Sequence, residues 1–312
     1  MKKFLYLFVT LFIFVFALSS CNKNNNEVVD DYVITATAPN GAPAVALATL
    51  AKDHKENFNF INAKTIGTAF SNDGSDVVIA PINAGANLYA KKKSTYKLAA
   101  VITWGNLYFA SKIENFTLDT INGKEITLFG ESTINSSVAL YVLEKNNIVP
   151  SKVNYVAEAT DTQAILAGND ANAIVMCAEP AISATKTKNS NIQSISIQQL
   201  YKEKSGNDEF AQAGIFVKDD TIKNHEKALS NFLKQLKEET DKLTENLDKF
   251  AEASVELGIL PALPVAKAAI PNCSIKFKDA KEAKSAIEKT AKLNLGQYGG
   301  DLPSEDFYYS AF

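Results

Sequence analysis

The sequence predicts an α/β protein of two lobes with a ligand site between them. Three observations lead there. From Asp31 onward, short apolar runs rich in β-branched residues alternate with helix-forming stretches, the pattern of strand–helix–strand units. The alternation comes in two series, parted by the polar stretch Lys112 to Lys124. Four strand-to-helix junctions, two in each series, gather small and polar residues, and ligands of open α/β sheets sit beyond the carboxyl ends of strands.

In the first series, Tyr32 to Ala38 reads as a strand and Ala44 to Lys52 as a helix. Phe58 to Asn62 reads as a second strand, with a small helix near Ile66 to Phe70. Asp76 to Ala80 is a buried strand running into a helix that ends near Lys92. Tyr96 to Thr103 is a fourth strand, broken at Trp104-Gly105-Asn106 and resumed over Leu107 to Ser111. The second series has strands at Glu125 to Phe129, Val153 to Val156 and Ala173 to Cys177. Helices follow at Val138 to Asn146, Asp161 to Ala167 and from about Ala181, with further strands at Ser194 to Ile197 and Ala211 to Val217. The tail is helical: Leu229, Phe232, Leu233, Leu236, Leu243, Leu247 and Phe250 recur at helical spacing, and a shorter helix spans Asp279 to Lys292. Gly299 to Tyr309 forms an aromatic-rich end.

The junctions supply the candidate ligand residues. Asn40, Gly41 and Ala42 lie in the first, with Gly41 suited to close backbone approach. Asn83, Ala84 and Gly85 lie in the second; Ser132, Thr133 and Ser136 belong to the densest hydroxyl cluster of the chain; Glu179 is the one carboxylate of the fourth. Taken singly, each loop also fits an ordinary helix cap or turn; it is the four in two groups that point to a cleft. Trp104 and Gly105 sit at the strand break, where Trp104 fits either an aromatic wall of the cleft or a core side chain at a crossover.

Composition narrows the function. The chain has no arginine, so all 32 basic residues are lysine. Arginine is the side chain that clamps carboxylates and phosphates with two parallel hydrogen bonds. An anion held here must therefore rely on lysine, hydroxyls or the N–H groups of helix N-termini. The net charge of −3 leaves no basic footprint for nucleic acid. With only His54 and His225, a histidine metal site or a serine–histidine pair is poorly supplied, and no metal or cofactor is expected. Cys177 and Cys273 stand far apart and fit two buried free thiols better than a disulfide framework.

The first residues carry an address. Lys2 and Lys3 precede an apolar run from Phe4 to Leu18, interrupted only by Thr10 and free of charge. Fifteen residues suit a signal-peptide core better than a membrane span of about 20. The run ends Leu18-Ser19-Ser20-Cys21, which resembles a bacterial lipobox. That resemblance implies cleavage after residue 20, acylation (palmitate among the acyl chains) of Cys21, and an Asn- and Lys-rich tether over residues 21–31. Removing the leader leaves 292 of the 312 residues and, with Lys2 and Lys3 gone, a net charge of −5. The expected location is the extracytoplasmic face of the cell membrane, held by lipid.

A wider resemblance rests on three segments: Val33 to Ala51, Asp76-Val-Val-Ile-Ala-Pro-Ile-Asn-Ala-Gly-Ala, and Ala178-Glu179-Pro180. They look like the two-lobed substrate-binding proteins of ABC importers, and most like the NMT1/THI5-like group associated with nitrate, sulfonate, taurine and thiamine-precursor uptake. Ile270-Pro271-Asn272-Cys273 and Leu302 to Tyr309 resemble the C-terminal part of lipoproteins in that group. The resemblance implies a type II periplasmic-binding-protein-like fold, each lobe a mixed sheet flanked by helices. Lobe one would be 32–112 plus 214–312 and lobe two 113–213, with crossings near Leu107 to Ser111 and Gln212 to Val217. It also implies a monomer that captures a small molecule, a sulfonate- or nitrate-like anion or a heteroaromatic vitamin precursor, for an ABC permease and its ATPase. A surface lipoprotein acting as sensor or adhesin is the alternative. The yeast pyrimidine synthases that resemble this group need a cysteine-rich motif and a histidine, and with Cys177 and Cys273 isolated and two histidines in all, this chain lacks that material.

Overall fold

The computed structural model describes residues 31–206, 209–310 and 312. The expected leader, the expected lipidation site Cys21 and the expected tether as far as Asp30 lie outside the described residues. The chain opens with β1 (Ala36–Pro39), α1 (Ala42–Ala51), β2 (Phe58–Ile61), a 3-10 stretch over Ala63–Phe70, β3 (Val77–Pro81), α2 (Ile82–Ala90) and β4 (Lys97–Trp104). The middle holds β5 (Leu107–Ser111), β6 (Glu125–Phe129), α3 (Ile134–Lys145), β7 (Lys152–Val156) and α4 (Ala159–Ala167). It continues through β8 (Ile174–Ala178), α5 (Ala181–Lys188), β9 (Gln193–Ser196) and α6 (Ile197–Lys204). The last third holds β10 (Ala211–Val217), α7 (Asp219–Asn224), α8 (Glu226–Asp241), α9 (Leu247–Glu256), α10 (Leu263–Ala269), β11 (Ile275–Asp279) and α11 (Ala280–Ala291).

The strands form two mixed sheets, ordered β11-β4-β10-β3-β1-β2 and β7-β6-β8-β5-β9. In each, three parallel strands linked through helical connections lie in second–first–third order, β2-β1-β3 and β7-β6-β8. Next to the third strand lies an antiparallel one, and that strand arrives from the other series: β10 in the first sheet, β5 in the second. The chain therefore changes sheets at Gly105–Asn106, between β4 and β5, and again between α6 and β10. β5, counted with the first series in the sequence reading, pairs with β8 and β9 of the second sheet. Its polar successor Lys112–Lys124 was the visible boundary, whereas the topological one is the two-residue break before it.

The crossing segments lie side by side. Gly105 N–H donates to Phe210 O at 2.8 Å and Asn106 N–H to Gln212 Oε1 at 3.2 Å. A side chain at Gly105 would meet Gln198 Oε1 at 2.4 Å and Phe210 Cδ1 at 2.9 Å, so a larger residue there would have to displace both side chains. Trp104 is 3% exposed, and its indole N–H donates to Lys276 O at 2.9 Å. The structure thus places Trp104 in the core of the crossing and not on an open wall, because β11, unread from sequence, covers it and takes its hydrogen bond.

The amphipathic tail behaves as its spacing predicts. Leu229, Phe232, Leu233 and Leu236 bury one face of α8 in a core shared with β1, β3, β4 and β10. Phe307 is fully buried among Tyr89, Phe216 and Tyr308, and Tyr309 N–H donates to Leu98 O at 2.8 Å, so the aromatic end straps the first sheet.

Candidate ligand-binding site

The carboxyl ends of β1 and β8 bring the starts of α1 and α5 together. Gly41 precedes α1 with φ 109° and ψ −151°, a region open essentially to glycine alone. No side chain caps α1, and a Cβ built on Gly41 would lie 3.8 Å from Pro180 Cδ, so the first-sheet junction abuts the Glu179-Pro180 turn of the second. Around this contact, Ala42 is buried, and Asn40 is exposed with its N–H bonded to Ile61 O at 2.9 Å. α10 packs on α5, adding a second contact between the tail and the second sheet.

Glu179 is 6% exposed. Its N–H donates to Asn106 O at 3.0 Å, one step beyond the β5–β8 register of Leu107 with Ala178 and Tyr108 with Cys177. Opposed residues of an antiparallel pair point to the same face. The side chains of Asn106, Tyr108, Cys177 and Glu179 therefore share one face, while Leu107, Phe109, Met176 and Ala178 join the main core on the other. The Glu179 carboxylate accepts from Ser183 Oγ at 2.9 Å and Ser183 N–H at 3.3 Å. Burial pushes its pKa up to about 7, against the Ser183 bonds and the Lys186 charge, which pull it down. Burial, then the Glu179 charge, push the Tyr108 hydroxyl up to about 12. Burial, reinforced by the Glu179 charge, also drives the Cys273 thiol upward. Cys177, bonded weakly to Thr162 Oγ1, is pushed up to about 12 by burial first; both cysteines are free, buried and protonated. Among the buried side-chain atoms left without a hydrogen-bond partner are Asn106 Oδ1 and Gln198 Nε2, both at the crossing.

The other candidate residues make contacts of their own. Thr133 caps α3, accepting from Ser136 N–H at 3.4 Å, while its carbonyl takes the Ser136 and Ser137 hydroxyls. The hydroxyl cluster is therefore largely spent on the helix start. Ser132 O and Ser137 Oγ accept from Asn294 Nδ2, both at 3.3 Å, which ties the segment after α11 to the second sheet. Lys64 and Glu158 pair at 3.0 Å at another point between the two sheets. Asn83 donates to Gln297 Oε1 at 3.3 Å, Ala84 beside it is half-buried, and Gly85 is a packing position: a Cβ there would stand 2.3 Å from Phe216 Cε1. Sequence reasoning named Gly41 and Glu179, which the structure brings together, and passed over Asn106, Tyr108, Pro180 and Cys273. In the sequence Asn106 reads only as part of a strand break; the period-2 alternation from Asn106 to Tyr108 is the available signal.

Two α/β lobes joined by two adjacent crossing segments, with helix starts facing across the junction, define the periplasmic-binding-protein fold, and the chain has it. Solved structures agree. The structure of an ABC transporter from Parabacteroides distasonis superposes with a TM-score of 0.74 at 22% identity, covering 90% of this chain and 99% of that one. The periplasmic aliphatic sulphonate binding protein SsuA from Escherichia coli gives 0.66 at 10% identity, covering 89% and 92%. The Candida albicans CA3427 gene product, described as having the generic periplasmic binding protein fold, gives 0.53 at 14%, covering 88% and 93%. The model of the NMT1/THI5-like family matches residues 108–249, the group whose likeness the sequence motifs carry. No curated protein sequence matches the chain. Among the described residues, no helix is long and apolar enough to cross a membrane, and no cluster of His, Cys, Asp and Glu is suited to a metal ion.

Proposed function

We propose that this chain is the substrate-binding lipoprotein of an ABC importer, monomeric, anchored through Cys21 on the extracytoplasmic face, and handing a small molecule to a permease and its ATPase. The observation that carries the reading is the meeting of Gly41 and Pro180 at the carboxyl ends of strands from two equivalent sheets. The lobes in this reading are 31–105 with 211–312, and 106–206. The ligand enters between them, and the short crossings at Gly105–Asn106 and before β10 act as the hinge. Glu179 and the α1 start at Gly41 face the ligand, while Trp104 reports on the hinge without touching it. No covalent chemistry is assigned: the two thiols are buried and protonated, and His54 is exposed, far in sequence from either crossing.

The test is native mass spectrometry of the gently purified protein together with Trp104 fluorescence. A small molecule retained one to one, whose removal and return shifts Trp104 emission through lobe closure, supports the reading. A chain that carries nothing and responds to no compound in a broad panel of sulfonates, amines and heteroaromatics overturns it. Cys21→Ala should release the protein from the membrane with ligand affinity unchanged.

A further inference from the structure

At the lobe junction two buried acceptors, the Glu179 carboxylate and Asn106 Oδ1, stand on one face with few donors from the fold to meet them. Resting on the capture reading above, we propose that the ligand presents a hydrogen-bond-donor head group, an ammonium, an amidinium or an N–H-rich ring, received by the Glu179 carboxylate and Asn106 Oδ1. Three independent features carry this. Glu179 is 6% exposed and Asn106 5%, and the β5–β8 register puts both side chains on one face at the point where the chain crosses between lobes. Asn106 Oδ1 has no hydrogen-bond partner although it is buried, a condition that native proteins rarely leave uncompensated.

The third feature is charge. Among the described residues no lysine forms an ion pair with Glu179. Lys186, the cation that its carboxylate senses, directs its Nζ to Ser194 Oγ at 2.6 Å instead. The chain has no arginine to bring. Ser183 alone supplies both donors to the carboxylate, which leaves lone pairs of both oxygens open. A cationic or N–H-rich head satisfies these acceptors together and turns a buried charge without a counter-ion into a pair. A sulfonate or nitrate would instead sit against a buried carboxylate, a like-charge contact that works against binding. The uncapped start of α1 lies on the opposite side of the same junction. Its free N–H groups suit an acceptor atom elsewhere on the same ligand, so a ligand with a donor head and an acceptor tail spans the two lobes.

Matched pairs of opposite charge test this: benzamidine against benzoate, and propylammonium against nitrate and taurine, titrated calorimetrically at pH 8 into the wild type, Glu179→Gln and Asn106→Leu. The melting temperature of each variant is measured first, and Glu179→Gln, isosteric and uncharged, serves if Asn106→Leu fails to fold. The expected result is binding of benzamidine or propylammonium and not of their anionic partners. Glu179→Gln should weaken it about 30-fold or more, the loss typical of removing one partner of a buried charge pair. Asn106→Leu should weaken it less. Anions binding the wild type with affinity unchanged or improved in Glu179→Gln would keep the capture reading and overturn the donor-head assignment. Binding of neither class by the wild type would overturn both.

Discussion

Two carboxylates of the chain are almost equally buried, and the protein treats them in opposite ways. Asp76, 5% exposed, stands at the amino end of β3, away from the lobe junction. It accepts from Tyr32 Oη at 2.9 Å, Thr35 N–H at 2.9 Å, Thr35 Oγ1 at 2.8 Å and Thr221 Oγ1 at 2.7 Å. Burial pushes its pKa upward, but these four donors outweigh burial and hold it below the ordinary carboxylate range. Three chain segments far apart in sequence meet on this one charge, and Tyr32 adds a stack on His225 with centroids 3.5 Å apart. Glu179 stands at the carboxyl end of β8 with two donors from a single residue, and burial wins. The difference teaches what each is for. A charge surrounded by donors from its own fold is a fastening, whereas a charge left short of donors where strands end is the one that the proposed ligand would complete.

The sharpest way to break the contrast is Asp76→Ala. It strands four donors in the interior and should cost roughly 4 kcal/mol of unfolding free energy at neutral pH. Because the folded pKa is depressed, the contribution of Asp76 is fully present above its unfolded value and fades as pH falls through the folded one. An unfolding free energy from urea titration within about 0.5 kcal/mol of wild type would mean that the four bonds are decoration.

Glu179→Gln should move the other way. The folded pKa of about 7 lies above the ordinary 4.5, so the folded protein holds this proton more tightly than the unfolded chain. The stability that protonation supplies is complete below about pH 4.5 and is lost as pH rises to 7. Over that window the wild type should lose up to about 3 kcal/mol on account of this residue. The Gln variant, with the same shape and no charge to bury, should lack the slope and be the more stable protein at pH 8 without ligand. Tyr108, Cys177, Cys273 and Lys186 are the titratable groups that interact with Glu179, and the first three are raised above the window. Parallel stability–pH curves for wild type and Gln would break the comparison.

The contrast was half legible beforehand. Asp76 reads only as the polar start of a buried strand, since its donors come from Tyr32, Thr35 and Thr221, residues that no local pattern connects. Glu179 is visible as a lone carboxylate at a strand end, and Gly41 as a glycine where backbone must pass close. Most strands and helices follow directly from alternation and caps. Those that escape have physical reasons. α6 begins at Ile197 immediately after β9, so the Ser196 cap and the Ile197–Tyr201 spacing are masked by a strand-like run. β11 is an edge strand whose Ile275-Lys276-Phe277-Lys278 alternation is short and half charged. α10 has one Pro and two turns to declare itself. Asn106 could not be paired with Glu179 from sequence at all, because their adjacency depends on an antiparallel register between strands about 70 residues apart.

The finest test removes one donor from each carboxylate. Ser183→Ala takes the stronger of the two bonds from Glu179, and Thr221→Val takes one of four from Asp76. Each should cost about 1–2 kcal/mol at pH 8, where both acids are ionised and a hydrogen bond to a charge is at its strongest. At pH 5 the outcomes should separate. Asp76 remains ionised there, so the Thr221→Val cost persists; Glu179 is largely protonated in the folded protein, so the Ser183→Ala cost shrinks to that of a neutral hydrogen bond, about 1 kcal/mol or less. With its stronger donor gone, the Glu179 carboxyl should also titrate at still higher pH, and the falling limb of the stability curve should follow it upward. Equal costs at both pH values would show that Ser183 holds the α5 start for packing alone, and that the short supply of donors at Glu179 has no electrostatic consequence.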